Sequence, residues 1–212
     1  MELHFYPGRK KLIVKDDGKV KWRIEAWGGP KKVGTDPHMA EHPTTAGKYL
    51  IHSVKAYNTP TWPMSKIKWG TTLKDMPVKK DVWYKLSSGK WGSIKNDLGI
   101  SRDEIIQYYH LLYKSRRVPK TWVFNDFGPL AIRYYVDNNN NMILDKNEKL
   151  SGEMIHTTPD NEAQTQSGNK VVLAPSHGCI HIKPRDRNLL QGINAFKKGT
   201  IFVVHKYNEV IN

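Results

Sequence analysis

Residues 174–182 read Ala174-Pro175-Ser176-His177-Gly178-Cys179-Ile180-His181-Ile182 and hold the single cysteine of a 212-residue chain. A free cysteine kept for packing behaves as a small hydrophobe among apolar neighbours. Cys179 instead stands among Ser176, His177, Gly178 and His181. An imidazolium beside a thiol favours the thiolate, which is the nucleophilic form, so a lowered Cys179 pKa is expected. Gly178 lets a substrate and backbone amides approach closely, as an oxyanion hole requires. A second histidine lies upstream, in Gly152-Glu153-Met154-Ile155-His156-Thr157-Thr158-Pro159. Apolar residues before His156 and a turn after it predict a strand end, a position that often presents catalytic side chains.

Outward from this stretch the chain reads as mainly β. Lys11–Lys15 and Val20–Ala26 flank Asp16-Asp17-Gly18-Lys19, which predicts a hairpin ended by Gly28-Gly29-Pro30. Pro43–Ile51 predicts a loop entering a strand, and 121–136, 152–158 and Thr200–His205 predict further strands. Ser101 with Glu104 forms a capping box, and Ile105, Tyr108, Tyr109 and Leu112 follow at helical spacing, so a helix is expected over 102–115. Pro184–Lys198 predicts a second helix, with Gly199 just beyond it.

Residues 58–100 differ in character. Trp62, Trp69, Trp83 and Trp91 are interleaved with lysines. Two readings stay open: indole faces that stack on sugar rings beside lysines that take phosphate or carboxylate, or a small subdomain whose tryptophans form its own core.

The formal net charge is +14, with 34 basic and 20 acidic residues. Such a chain is drawn to polyanions, including anionic wall polymers, or simply carries a solvated basic surface. No zinc-finger spacing or RNA-binding motif points to nucleic acid. One cysteine excludes an internal disulfide framework. No apolar run reaches the length of a membrane span. The N-terminus MELHFYPGRKKLIV shows no signal peptide.

Ser176-His177-Gly178-Cys179, an apolar and then a polar residue, with the upstream Ile155-His156-Thr157-Thr158-Pro159, resembles the YkuD-type L,D-transpeptidase catalytic domain. Val33-Gly34-Thr35 and His42–Tyr49 resemble the Thr-Pro-x-Gly-x-Phe stretch of that family. The resemblance covers 1–57 and 121–206, within a single catalytic domain over 1–212 that carries an insertion or cap at about 58–120. It implies a β-sandwich or barrel with peripheral helices and a mixed insertion. It implies that Cys179 attacks an L-centre to D-centre peptide bond of a peptidoglycan stem, that His156 is the base, and that the Thr157 carbonyl orients His156. His177, Gly178 and the Cys179 amide would shape the oxyanion site, with Ser176 as a structural hydrogen-bonding residue. An amine or water would resolve the acyl-enzyme, with no cofactor required. The periplasm or cell wall is the expected compartment, reached by a trimmed signal or by a route other than Sec, as for an antibacterial effector injected into a rival.

Two departures stand out. Twenty positions separate His156 from Ser176, longer than usual, and a longer loop is expected over Asp160–Lys170. His181 occupies the place of an Arg or Asn, which bears on substrate binding. The other histidines, His4, His38, His42, His52, His110 and His205, are read as ordinary surface or turn residues.

Two metal readings stand beside this. His177, Cys179 and His181 alternate, would share a strand face, and with His156 would offer a Cys-His₃ zinc set. Asp137–Glu148 places oxygen donors at Asp137, Asn139, Asn141, Asp145 and Glu148, with the Ile143 carbonyl at loop position 7, as in a calcium loop. Met142 stands where such loops have glycine, and the alternative is a polar hairpin rich in turn-forming Asn. A function from another class, a basic wall-binding module with weak catalysis, is the competing reading of the whole chain.

Overall fold

The computed structural model describes residues 1–36 and 39–211. His38 lies outside the described residues. In chain order the elements are β1 (Glu2–Tyr6), β2 (Lys11–Asp16), β3 (Lys19–Trp27), β4 (Gly47–Lys55), β5 (Leu73–Met76), β6 (Asp81–Lys85), β7 (Trp91–Ser93), α1 (Ile94–Leu98), α2 (Arg102–Tyr113), β8 (Ala131–Tyr135), β9 (Leu150–His156), α3 (Pro159–Gln166), β10 (Ile180–Ile182), α4 (Pro184–Gly192) and β11 (Ile201–Val204). Two compact units result. One comprises Met1–Lys55, Ala131–Thr157 and Val171–Asn212, and the other Ala56–Leu130 and Thr158–Lys170. The architecture is mainly β.

In the first unit eight strands close into a barrel in the order β1-β11-β4-β8-β9-β10-β3-β2. The β1–β11 and β9–β10 pairs are parallel. The β2–β3 hairpin turns on Asp17 and Gly18, both at positive φ, the two-residue turn whose twist matches the strands. Period-two alternation sends Leu3, Phe5, Leu12, Val14, Ile24 and Phe202 into one core. Burial of each such side chain stabilises by roughly 1.5–3 kcal/mol.

The helix expected over Pro184–Lys198 stops at Gly192. Asn194 takes a left-handed φ of 58°, the Ala195 N–H bonds Leu190 O and the Asn194 N–H bonds Gln191 O. This is a Schellman termination. It turns Ala195 and Phe196 into the barrel core, so their helix-like spacing belongs to the cap.

In the second unit β5, β6 and β7 form an antiparallel sheet. α2 carries the expected capping box, and Lys114 ends it in a left-handed turn. The core holds Ile67, Leu73, Val82, Ile94, Trp122 and Phe124. The reading in which Trp62, Trp69, Trp83 and Trp91 build this core is therefore wrong; Trp122 is the indole it encloses, while Trp62 and Trp91 are exposed.

The strand expected over 121–136 is regular only at Ala131–Tyr135. Before it, Thr121 makes one isolated bridge to Thr72. Asn125 breaks the extended run: its side chain donates to Tyr57 O and Ile67 O and accepts from the Phe127 N–H. Such side-chain bonds compete with a ladder. The loop expected over Asp160–Lys170 is largely helix α3. Thr158 caps it, Pro159 opens it and Asp160 and Glu162 occupy its first turn, a start signal present in the sequence.

Candidate active site

All the candidate residues on 153–157 and 174–182 belong to the barrel unit. Strands β9 and β10 lie side by side and pair Ile155 with Ile180 and His156 with His181. Ile180 and Ile182 enter the core, and His181, between them, faces the other way. The two imidazole rings meet edge to face, with centroids 4.8 Å apart. Cys179 is a half-buried free thiol immediately before β10.

The bend before Cys179 is fastened on several sides. Gly178 has φ of +122°, open to glycine and strained for other residues. Its N–H donates to Ser176 Oγ at 3.1 Å, and the Ser176 hydroxyl donates to Cys179 O. Ser176 is thus a structural clamp. Because Ser176 takes the Gly178 N–H, Gly178 serves the bend through its backbone conformation. Gly178 O accepts from Thr44 Oγ1 at 2.9 Å, and Thr44 Oγ1 accepts from the Gly29 N–H at 3.0 Å. The backbones run so close that a Cβ on Gly29 would stand 1.7 Å from His42 O. Thr44 and Gly29 were not singled out as site residues from the sequence. The signals present were a Gly-Gly pair directly after a strand, which marks a bulge or close backbone approach, and the place of Thr44 in the His42–Tyr49 stretch.

This bend breaks the strand alternation expected of His177, Cys179 and His181. His177 is exposed and lines a cleft of about 650 Å³ with Thr44, Thr45, Glu153 and Tyr207. The Cys-His₃ zinc set is not assembled; among the described residues no three His, Cys, Asp or Glu side chains converge as metal ligands.

His156 is buried, and its Nδ1 donates to Thr157 O at 2.8 Å. A carbonyl only accepts, so the proton is on Nδ1 and the lone pair on Nε2. Thr157 is itself held: Arg187 of α4 donates through Nη1 to Thr157 Oγ1 at 3.4 Å. Burial pulls the His156 pKa down to about 3, helped by the neighbouring His181. Burial also pushes the Cys179 thiol up to about 11, against a backbone hydrogen bond from Met154. Burial thus works against the expected thiolate–imidazolium pair, because desolvation disfavours both charged forms. His181 is lowered for the same reason and bonds Ala174 O through Nδ1 at 3.0 Å.

Glu153 fastens the cleft wall. Its carboxylate accepts from Thr45 N and Oγ1 at 3.0 and 2.8 Å and from the Tyr134 hydroxyl at 3.2 Å.

The Asp137–Glu148 loop bonds to itself. Asp137 accepts from the Asn141 and Met142 N–H groups, Asn139 Oδ1 from the Asn141 N–H and Asn141 Oδ1 from the Ile143 N–H. Asp145 accepts from Asn139 Nδ2 and the Asn147 N–H, and Glu148 from the Asn138 and Asp145 N–H groups. Met142 reaches a left-handed φ of 60° where calcium loops have glycine. Strands β8 and β9 flank the loop.

Residues 5–204 match the protein family described as YkuD, the L,D-transpeptidase catalytic domain. No curated protein matches the chain in sequence. Among solved structures, an L,D-transpeptidase from Xylanimonas cellulosilytica aligns over 96% of this chain and 59% of its own, at 9% identity and TM-score 0.43. L,D-transpeptidase 1 of Mycobacterium tuberculosis aligns over 96% and 60%, at 15% identity and TM-score 0.37. An L,D-transpeptidase from Mycobacterium smegmatis aligns over 96% and 58%, at 13% identity and TM-score 0.37. The chain spans about three fifths of the length of each.

Proposed function

The chain belongs to the YkuD L,D-transpeptidase catalytic-domain family, and from that premise we propose that it transfers acyl groups between peptidoglycan stem peptides through Cys179. The observation that carries this reading is the His156 Nδ1 bond to Thr157 O. It puts the proton on Nδ1 and makes Nε2 the basic nitrogen of a buried imidazole, on the strand paired with β10, which Cys179 immediately precedes.

Chemistry follows from the resting protonation. With the thiol at about 11 and the imidazole at about 3, forming a thiolate before attack is strongly disfavoured. Proton transfer from Sγ to His156 Nε2 is coupled to attack on the carbonyl carbon of the L-centre residue. The C–S bond forms as the carbonyl pair moves to oxygen, where the Cys179 N–H receives it. Collapse breaks the C–N bond, and His156 returns the proton to the departing amine of the terminal D-residue. A thioester remains on Cys179. An acceptor amine or water then gives its proton to His156 and attacks the thioester; the C–S bond breaks and the proton returns to sulfur. Amine gives transpeptidation, and water gives carboxypeptidase action.

In this scheme Arg187 and Thr157 orient the base, Ser176, Thr44 and Gly29 shape the bend, and His181 and His177 flank the substrate. The partner is peptidoglycan, in the wall or periplasm. No helix among the described residues is long and apolar enough to cross a membrane. Intact-protein mass after incubation with a stem tetrapeptide tests the scheme. A thioester adduct on the wild type and none on Cys179→Ala supports it; no adduct on a reduced thiol overturns it.

A further inference from the structure

We propose that the outward face of the β5–β6–β7 sheet binds an acidic saccharide, a pyranose stacked on Trp91 with its carboxylate between Lys74 and Lys85. The sheet register makes this face. Lys74 lies opposite Trp83 and Trp83 opposite Ser93, while Lys85 lies opposite Trp91, so these residues share one side. Leu73 and Val82 take the other side and enter the unit's core. Hydrophobic burial therefore claims one face for the core, and on the other Trp83 is half-buried and Trp91 exposed.

The exposed face is built and charged. Lys79 sits over the Trp83 ring, 4.4 Å from its centroid. Lys74 and Lys85 stand 6.0 and 5.9 Å from the Trp91 centroid. Lys79 and Lys95 line a cleft of about 350 Å³ between the two indoles. Asp81 is the acidic group lining that cleft. It is buried, and its oxygens accept from Val82 N, Trp83 Nε1, Ser93 Oγ and Lys95 N at 2.7, 2.9, 2.7 and 3.1 Å. Asp81 thus fixes the Trp83 ring and the β7–α1 corner, and its one carboxylate stands against four lysines, Lys74, Lys79, Lys85 and Lys95, around the two indoles.

The geometry selects the ligand. Aromatic faces accept sugar rings and nucleobases alike, and lysines accept carboxylate and phosphate alike. The Trp91 lysines stand close to the ring, however. An anion reaches them when it is carried on the stacked ring or on a short arm from it, as in an acidic sugar. In a nucleotide the phosphate is held away from the stacked base by the intervening ribose. The site lies outside the unit that carries Cys179 and requires no turnover.

The probe is peptide-free glycan strands bearing N-acetylmuramic acid, titrated into the full chain and followed by indole fluorescence and sedimentation. Because the strands lack stem peptides, failure of the Cys179 chemistry does not affect this test. Saturable binding is expected that weakens with salt and weakens about tenfold in Trp91→Ala and severalfold in Lys85→Gln, both exposed positions whose melting curves are checked. A neutral N-acetylglucosamine oligomer should bind at least tenfold more weakly. Unchanged binding in both variants overturns the proposal, as does equal binding of the neutral oligomer. Tighter binding of oligothymidylate than of the glycan overturns it in favour of nucleic acid.

Discussion

His156 and His181 stand opposite each other on the parallel β9–β10 pair, with ring planes at 75° and centroids 4.8 Å apart. His181 is therefore a wall of the pocket that holds the His156 imidazole. Removing the ring in His181→Ala lets His156 tilt away from its bond to Thr157 O. Turnover should fall ten- to a hundredfold, the scale of a small misplacement of a reacting group. Steady-state assays on a stem tetrapeptide check this, and turnover equal to wild type would remove His181 from the site.

Thr44 joins two backbone segments through one hydroxyl, accepting from Gly29 N–H and donating to Gly178 O. Thr44→Val keeps the shape and strands both buried groups. The expected loss is about 3 kcal/mol of stability in urea unfolding, with activity lost alongside. Thr44→Ser retains the hydroxyl and should recover most of both. A Val variant as stable as wild type would show that the hydroxyl carries no weight.

The thiol pKa has a direct chemical readout. Held at about 11 by burial, Cys179 stays protonated through neutral pH. Iodoacetamide should alkylate it slowly at pH 7, with a rate that climbs about tenfold per pH unit to pH 10. A plateau by pH 8 would mean that an ion pair forms at rest.

His156 links the same burial to stability. An unfolded imidazole titrates near 6.5 and the folded one at about 3, so the unfolded chain binds more protons between those values. Stability therefore falls as pH falls through that window, by about 3 kcal/mol between pH 7 and 4.5 from this residue. Thermal melts of His156→Gln, which does not titrate, should show a shallower decline than wild type. Parallel declines would contradict the burial of a neutral imidazole.

The chemistry-bearing stretch was legible because its residues are unusual together: one cysteine, a glycine before it, and histidines where packing calls for apolar groups. The barrel strands were legible from alternation, as in Val20–Ala26. What was lost lay in tertiary contacts. Thr44 and Arg187 look ordinary in sequence; only the fold brings them to Gly178 and Thr157. The end of α4 was missed because Ala195 and Phe196 keep helical spacing while packing from a left-handed cap. Burial pushes the Cys179 thiol up, opposite to the expectation from its histidine neighbours, because residue types in sequence do not show how deeply the fold encloses the sulfur.

The most direct test of cysteine acyl transfer is mass analysis of muropeptides from purified sacculi after incubation with the protein or with Cys179→Ala. Loss or exchange of a terminal D-residue, or new cross-links, should appear with the wild type and be absent with the variant. Identical muropeptides from both, with the thiol confirmed reduced, would contradict it.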